Sequence, residues 1–164
     1  MHMRDWEELE KACRSCSRCE LCKTRKNVVF GSGDRHAKLM FVGEGPGETE
    51  DETGLPFVGR AGKLLDAMLA SVGLERSRVY IANIVKCRPP QNRDPLPEER
   101  EMCFPWLDNQ IRLISPAIIV CLGRIAAMRF IKPDFKITQE HGLWFEYFGI
   151  KTMAIYHPAA LLRD

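Results

Sequence analysis

The chain has 164 residues, 45% of them hydrophobic and 28% charged, which predicts one globular domain with a real core and leaves too little chain for two ordinary domains. It has no run of 18 apolar residues, and its first residues, MHMRDWEELEKACRSC, are charged and amphipathic with no apolar signal core, so a soluble cytoplasmic protein is expected, with neither membrane span nor secretory peptide. The formal net charge is only +2, so any nucleic-acid surface has to be local.

Taken in chain order, the first segment carries most of the unusual chemistry. Of seven cysteines, Cys13, Cys16, Cys19 and Cys22 fall within ten residues, while Cys87, Cys103 and Cys121 lie far apart. A disulfide scaffold spreads its cysteines and belongs outside the cell, so a metal or cluster site is the better expectation here. The same segment is basic (Lys11, Arg14, Arg18, Lys23, Arg25, Lys26, against Glu20) and is expected to pack as a helix through Cys22. Apolar β-rich runs at 39–42, 79–85, 117–122 and 152–156 read as strands covered on both faces. After the first strand come a glycine-rich turn and an acidic loop (Glu44, Glu48, Glu50, Asp51, Glu52). Residues 61–72 place Leu64, Leu65, Met68, Leu69 and Val72 on one helical stripe. A proline-rich, extended loop spans 88–97. The helix over 97–114 opens with Glu98, Glu99 and Glu101 and is expected to kink or split at Pro105.

This alternation predicts a three-layer α/β/α sandwich around a central, mostly parallel four-stranded sheet. All the polar signals then fall at carboxyl ends of strands: Gly43–Glu48, Asn83 with Lys86–Arg88, Gly123, and His157–Pro158. Open α/β sheets bind ligands at that edge. The glycine-rich turn lacks a full dinucleotide fingerprint, and its acids would repel a pyrophosphate. A phosphohydrolase would want a carboxylate cluster with histidine partners, which Glu48–Glu52 does not have.

The motifs GEGPGETEDETGLPFVGRAG, NIVKCRPPQNR and HPAALLR, in this order and with these cysteines, resemble the family 4 uracil-DNA glycosylases, the iron–sulfur branch of the uracil-DNA glycosylase superfamily. The resemblance covers nearly the whole chain. It implies a monofunctional DNA-repair enzyme acting on single- or double-stranded DNA that contains uracil, releasing free uracil, working as a monomer and needing no membrane. The rival class is a non-catalytic iron–sulfur DNA-binding or redox-sensing module, which would not need the pocket residues. The family also continues into a C-terminal helix that is expected to be absent, because the sequence stops at Asp164.

Cysteines three apart step about −60° around a helix, so only neighbouring pairs share a face and one pair needs help from elsewhere. Cys87 and Cys103 can give it, making four thiolates; four thiolates suit a 4Fe-4S cluster or zinc. The family pattern, a C-x2-C pair eight residues before a position like Asn27, selects Cys16 and Cys19 with Cys87 and Cys103 for the 4Fe-4S cluster. Cys13, Cys22 and Cys121 are then surplus, Cys121 as a small core hydrophobe. The cluster's expected role is to brace Arg14, Arg18, Lys86, Arg88 and Arg93 on one phosphate-gripping surface.

For the base, the resemblance assigns Phe57 as the stacking face, although read alone it is equally a core aromatic. Asn83 would accept from uracil N3–H and donate to O4; the plain alternative is an amide bonded to neighbouring backbone. His157 would donate to uracil O2, where a lone histidine before proline is otherwise structural. Gly45 and Pro46 line the base site, and Glu50 is placed near uracil C5. Other branches carry an Asp base where Gly45 stands, so Glu44 is the candidate for positioning water. Ala159–Arg163 resembles the intercalation loop, with Leu161 or Leu162 as wedge and Arg163, like Arg88, on phosphate.

Overall fold

Four parallel strands, each an apolar run too short for a stable helix, form the middle of the sheet. The computed structural model describes residues 3–163. In chain order the elements are α1 (Trp6–Arg14), β1 (Ser32–Gly33), β2 (Leu39–Gly43), α2 (Glu48–Thr53), α3 (Arg60–Ser71), β3 (Tyr80–Asn83), α4 (Pro97–Ile114), β4 (Ile118–Leu122), α5 (Arg124–Phe130), α6 (Ile137–Glu140), β5 (Phe145–Tyr147), β6 (Ile150–Ile155) and α7 (Pro158–Leu161). The strand order is β1-β3-β2-β4-β6-β5. Strands β3, β2, β4 and β6 run parallel, and β1 and β5 add antiparallel edges. The sheet therefore has six strands, with the expected four at its centre. The two edge strands are two and three residues long and carry little periodicity of their own, which is why the sequence did not announce them.

Alternation along the strands divides the core in two. Met40 and Val42 face one way with Leu9 and Cys13 of α1, Leu107 and Ile111 of α4, and Phe130 of α5. Phe41 and Ile81 face the other way, onto Leu65 and Leu69 of α3, and α7 packs on α3. Each such fully buried aliphatic side chain contributes roughly 1.5–3 kcal/mol, so the three layers are held mainly by these two apolar contacts.

Three local expectations change. The acidic loop is the helix α2, ended by Gly54 at φ +78°. α4 runs unbroken through Pro105: the proline leaves the Glu101 carbonyl without its helical donor, and Glu101 sits on the exposed side, where water can replace it. The N-terminal helix stops at Arg14, Cys16 and Cys19 follow in irregular chain and Cys22 in a short 3-10 helix over Glu20–Lys23, which gathers the cysteines instead of spreading them around one helix.

Candidate functional site

A cleft of about 350 Å³ lies over the carboxyl ends of β2, β3 and β6 and is lined by Glu44, Phe57, Asn83, Asp94, His157 and Arg163, among others. Gly43 of β2 pairs with Asn83 of β3. A Cβ at position 43 would lie 2.5 Å from Asn83 Oδ1 and 2.6 Å from the Phe57 ring, so glycine is what lets the amide and the ring meet. Asn83 is 2% exposed, and its Oδ1 is buried with no hydrogen-bond partner among the described residues. An orphaned buried acceptor of this kind costs about 1–3 kcal/mol.

Phe57 adopts φ +50°, a left-handed conformation that a bulky side chain takes only when its surroundings impose it. Arg76 imposes it from one side: its Nη1 donates to the Pro56 carbonyl at 3.0 Å, its Nη2 to the Phe57 carbonyl, and its Nε pairs with Asp66. Glu50 holds the other side, accepting the Val58 and Gly59 N–H groups at 2.9 and 2.8 Å and the Gly47 N–H at 3.0 Å. The Glu50 carboxylate lines the cleft, but its oxygens tie the glycine-rich turn to the Phe57 loop.

The His157 ring lies 5.5 Å from the Phe57 ring, tilted by 32°. Its Nδ1 accepts the Ala159 N–H at 3.0 Å. Burial first, and then the Arg163 charge, hold its pKa down at about 4, partly opposed by Glu50. The ring is therefore neutral near pH 7 and carries its proton on Nε2. Glu44 is pushed up to about 7, first by burial and then by the hydrogen-bonded carboxyl of Asp94, with Arg124 and Arg100 pulling the other way. A Cβ at Gly45 would meet Val85 Cγ2 at 2.7 Å, so this backbone leaves no room for the aspartate found there in other branches.

A second, narrow cavity is lined by Cys13, Cys16, Cys19, Cys22, Cys87 and Cys103. Donors converge on the sulfurs: Trp106 Nε1 and the Arg18 N–H on Cys16 Sγ at 3.3 and 3.5 Å, the Lys86 N–H on Cys103 Sγ at 3.2 Å, and Arg25 Nη1 on Cys87 Sγ at 3.5 Å. Lys86, 1% exposed, sends Nζ to the Phe30 carbonyl at 2.9 Å and to Gln110 Oε1 at 2.6 Å, with no carboxylate partner among the described residues. Among the described residues no three His, Cys, Asp or Glu side chains converge tightly enough to hold one metal ion; the cysteines surround a space. Thiolate-directed N–H groups and a buried, otherwise uncompensated cation suit an anionic thiolate-bound cluster. Cys121 is outside this cavity, buried in β4.

The Uracil DNA glycosylase superfamily profile matches residues 30–164. The type-4 uracil-DNA glycosylase of Archaeoglobus fulgidus is 49% identical over 169 residues, 98% of this chain and 84% of that protein. The chain belongs to the uracil DNA glycosylase superfamily. A type-4 uracil-DNA glycosylase of Thermotoga maritima is 45% identical over 96% of this chain and 83% of its own length. A type-5 uracil-DNA glycosylase of Pyrobaculum aerophilum is more distant, at 34% over 79% of this chain and 64% of its own. The type-4 relatives match the family the motifs resemble.

For this glycosylase-family chain, the structure brings Glu44, Gly45, Pro46, Glu50, Phe57, Asn83 and His157 together in one cleft, and Cys16, Cys19, Cys87 and Cys103 around one cavity. The braced basic surface is only partly realised. Lys86 is buried, and Arg93 is spent on a bidentate pair with Glu99 at 2.8 and 2.9 Å. Arg14 bonds Glu10 and the Val28 carbonyl, Arg18 bonds the Met102 carbonyl, and Arg88 bonds Asn92 Oδ1 at 2.8 Å. Arg163 is exposed at the cleft mouth, and Leu161 is 53% exposed at the end of α7, while Leu162 is half-buried. Sequence reasoning missed Asp94, Arg76, Arg25 and Trp106, each of which acts through a contact distant in the chain.

Proposed function

We propose that this protein flips deoxyuridine out of DNA and hydrolyses its N-glycosidic bond, releasing uracil and leaving an abasic site without cutting the backbone. The observation that carries this reading is the unpartnered Asn83 Oδ1 on the cleft floor. Uracil N3–H supplies the missing donor, and Asn83 Nδ2 can donate to uracil O4. Cytosine presents an unprotonated N3 and an amino group, which leaves both Asn83 groups mismatched. The flipped base stacks on Phe57 and reaches His157 through O2.

As the C1′–N1 bond breaks, its electron pair goes to the uracil ring and charge builds on O2. The neutral Nε2–H of His157 stabilises that charge more in the transition state than in the ground state. A water bonds to C1′ through its oxygen, and Glu44 takes the water proton, with Asp94 tuning how readily it does so. Glu50 and Arg76 position Phe57 and make no base contact in this reading. Leu161, the more exposed of the two candidate leucines, fills the vacated stack, and Arg163 and Arg88 contact phosphate.

Cys16, Cys19, Cys87 and Cys103 would hold a 4Fe-4S cluster, with Trp106, Arg25 and the backbone N–H groups of Arg18 and Lys86 directed at its thiolates. When bound, the cluster supplies a structural tie between the N-terminal segment and the region from Lys86 to Cys103. Among the described residues no helix is long and apolar enough to cross a membrane. Action as a cytoplasmic monomer completes the proposal.

The test is a labelled oligonucleotide with one uracil, incubated with the protein and then treated with alkali. Strand cleavage only after alkali, with uracil found in the supernatant, is expected. An intact oligonucleotide that the protein nonetheless binds tightly would instead support the non-catalytic module.

A further inference from the structure

Trp144 lies just before β5 and is 56% exposed, on a part of the molecule to which the reading above gives no role. Its position follows from the register. Phe145 pairs with Thr152, and the Gly142 N–H bonds the Ala154 carbonyl at 2.9 Å, so residues 142–144 run beside the carboxyl end of β6. That end leads directly through Tyr156 to His157. The His141 and Tyr156 rings pack at 4.8 Å and fix the two segments to each other.

The face is also defined. Phe145 and Tyr147 turn toward Phe135 and Phe130, at 6.0 and 4.8 Å, on the α5 side of the sheet. Strand alternation therefore sends Trp144 to the opposite face, the one covered by α3 and α7 and carrying Leu161. By that register Trp144 sits opposite Met153, one strand across and four residues back from His157, a separation of about 14 Å. Phe148, the most exposed large apolar side chain among the described residues, stands at the other end of β5, so the two rings do not share one apolar patch; Leu143, 52% exposed, is the apolar side chain adjacent to Trp144 in the chain.

We propose that Trp144 is a stacking platform for an unpaired base of the DNA strand that flanks the flipped uridine, which makes single-stranded DNA a preferred form of substrate. The proposal rests on the glycosylase reading, because it uses the same strand entering the same cleft. An exposed indole at a nucleic-acid edge recognises any base through its π-face and needs no sequence-specific donor. In a duplex the flanking bases are already stacked on each other and are not free to use the ring.

The chain has three tryptophans; Trp6 packs against Phe30 and Tyr80, and Trp106 against Cys16, so Trp144 alone reports on this edge. Uracil-free oligo-dT is expected to quench the fluorescence of the native protein saturably, and W144F is expected to remove that quench. W144A should raise KM for uracil in single-stranded DNA by roughly 5- to 100-fold, with kcat and thermal stability little changed and a smaller effect in duplex DNA. W144F should restore most of the KM. A quench that survives in W144F, or W144A values of KM that are unchanged or raised equally for both substrates, would overturn the proposal. Failure of the native protein to excise uracil would instead defeat the glycosylase reading, and the quench experiment does not depend on excision.

Discussion

The Ala159 N–H donates to His157 Nδ1 at 3.0 Å, and this one bond decides what the imidazole can do. With Nδ1 committed as an acceptor, the ring can only present Nε2–H to the cleft, and a second proton would have to displace the Ala159 bond. Burial already opposes that proton. In the proposed reaction His157 is thus a neutral donor to a developing anion. His157→Ala should lower single-turnover excision by about 10²–10³, the usual loss for one such donor, while binding of uracil-free DNA changes little. A His157→Ala protein with near-native excision would remove the histidine from the chemistry.

The same residue has a stability signature. Its pKa falls from the ordinary 6.5 to about 4 on folding, so the unfolded chain takes up a proton between those values and the native protein does not. The neutral ring's contribution is complete above pH 6.5 and is lost as pH falls toward 4. Urea unfolding at pH 7 and pH 5 should show the native protein losing on the order of 1–2 kcal/mol more than His157→Phe over that interval. Equal losses would mean that the ring is charged or freely hydrated in the folded state.

Glu44 titrates in the opposite sense. Its folded pKa is raised to about 7, so as a base it is half-ionised near neutrality, and single-turnover excision should rise with pH through about 7. Its protonated form contributes stability that is complete below about 4.5 and is lost as pH rises through 7. Asp94→Asn removes the neighbouring charge and should move the midpoint of the rate profile downward, and Glu44→Gln should flatten the profile. A profile that keeps its shape in Glu44→Gln would leave water merely oriented, with leaving-group stabilisation carrying the rate.

In the proposed reading Asn83 trades stability for recognition. Because its Oδ1 is buried without a partner among the described residues, Asn83→Leu, which removes the orphan and keeps the branched shape, should leave the fold as stable or up to about 2 kcal/mol more stable. The native protein is expected to show a thermal shift with free uracil, and the same change should abolish both that shift and excision. A destabilised Asn83→Leu would show that the amide has a structural partner.

The residues that sequence reading located are those whose chemistry is unusual for their place. An amide ending an apolar strand, a histidine at a strand's carboxyl end and six of the cysteines all signal by being out of pattern, and the parallel strands Leu39–Gly43 and Ile118–Leu122 signal by their apolar runs. Arg76, Arg25 and Asp94 were invisible for the opposite reason. Surface-type residues in ordinary loops, they acquire a role only when folding sets Arg76 against the Phe57 carbonyl and Asp94 against Glu44. Lys86 misled: a lysine between a strand and Cys87 reads as a phosphate contact, and only the packing of α4, which brings Gln110 to its ammonium group, shows it to be internal.

That internal position makes Lys86 the sharpest probe of the cysteine cavity. Its ammonium group has two neutral acceptors, the Phe30 carbonyl and Gln110 Oε1, and no carboxylate, although a buried cation without a counter-charge costs several kcal/mol. The thiolate-bound cluster proposed for the neighbouring cavity would supply the counter-charge. Lys86→Met keeps the stem's packing and removes the cation, so the protein should still fold but lose iron to a chelator at least about tenfold faster, since one lost charge interaction of 1.4 kcal/mol already gives that factor. Trp106→Phe deletes a single N–H to Cys16 Sγ and should accelerate iron loss less. Iron content and the decay of visible absorbance check both variants, and protease cutting between Cys16 and Lys26 should follow the iron as it leaves. If Lys86→Met retained its iron as long as the native protein, the lysine's counter-charge would have to lie elsewhere.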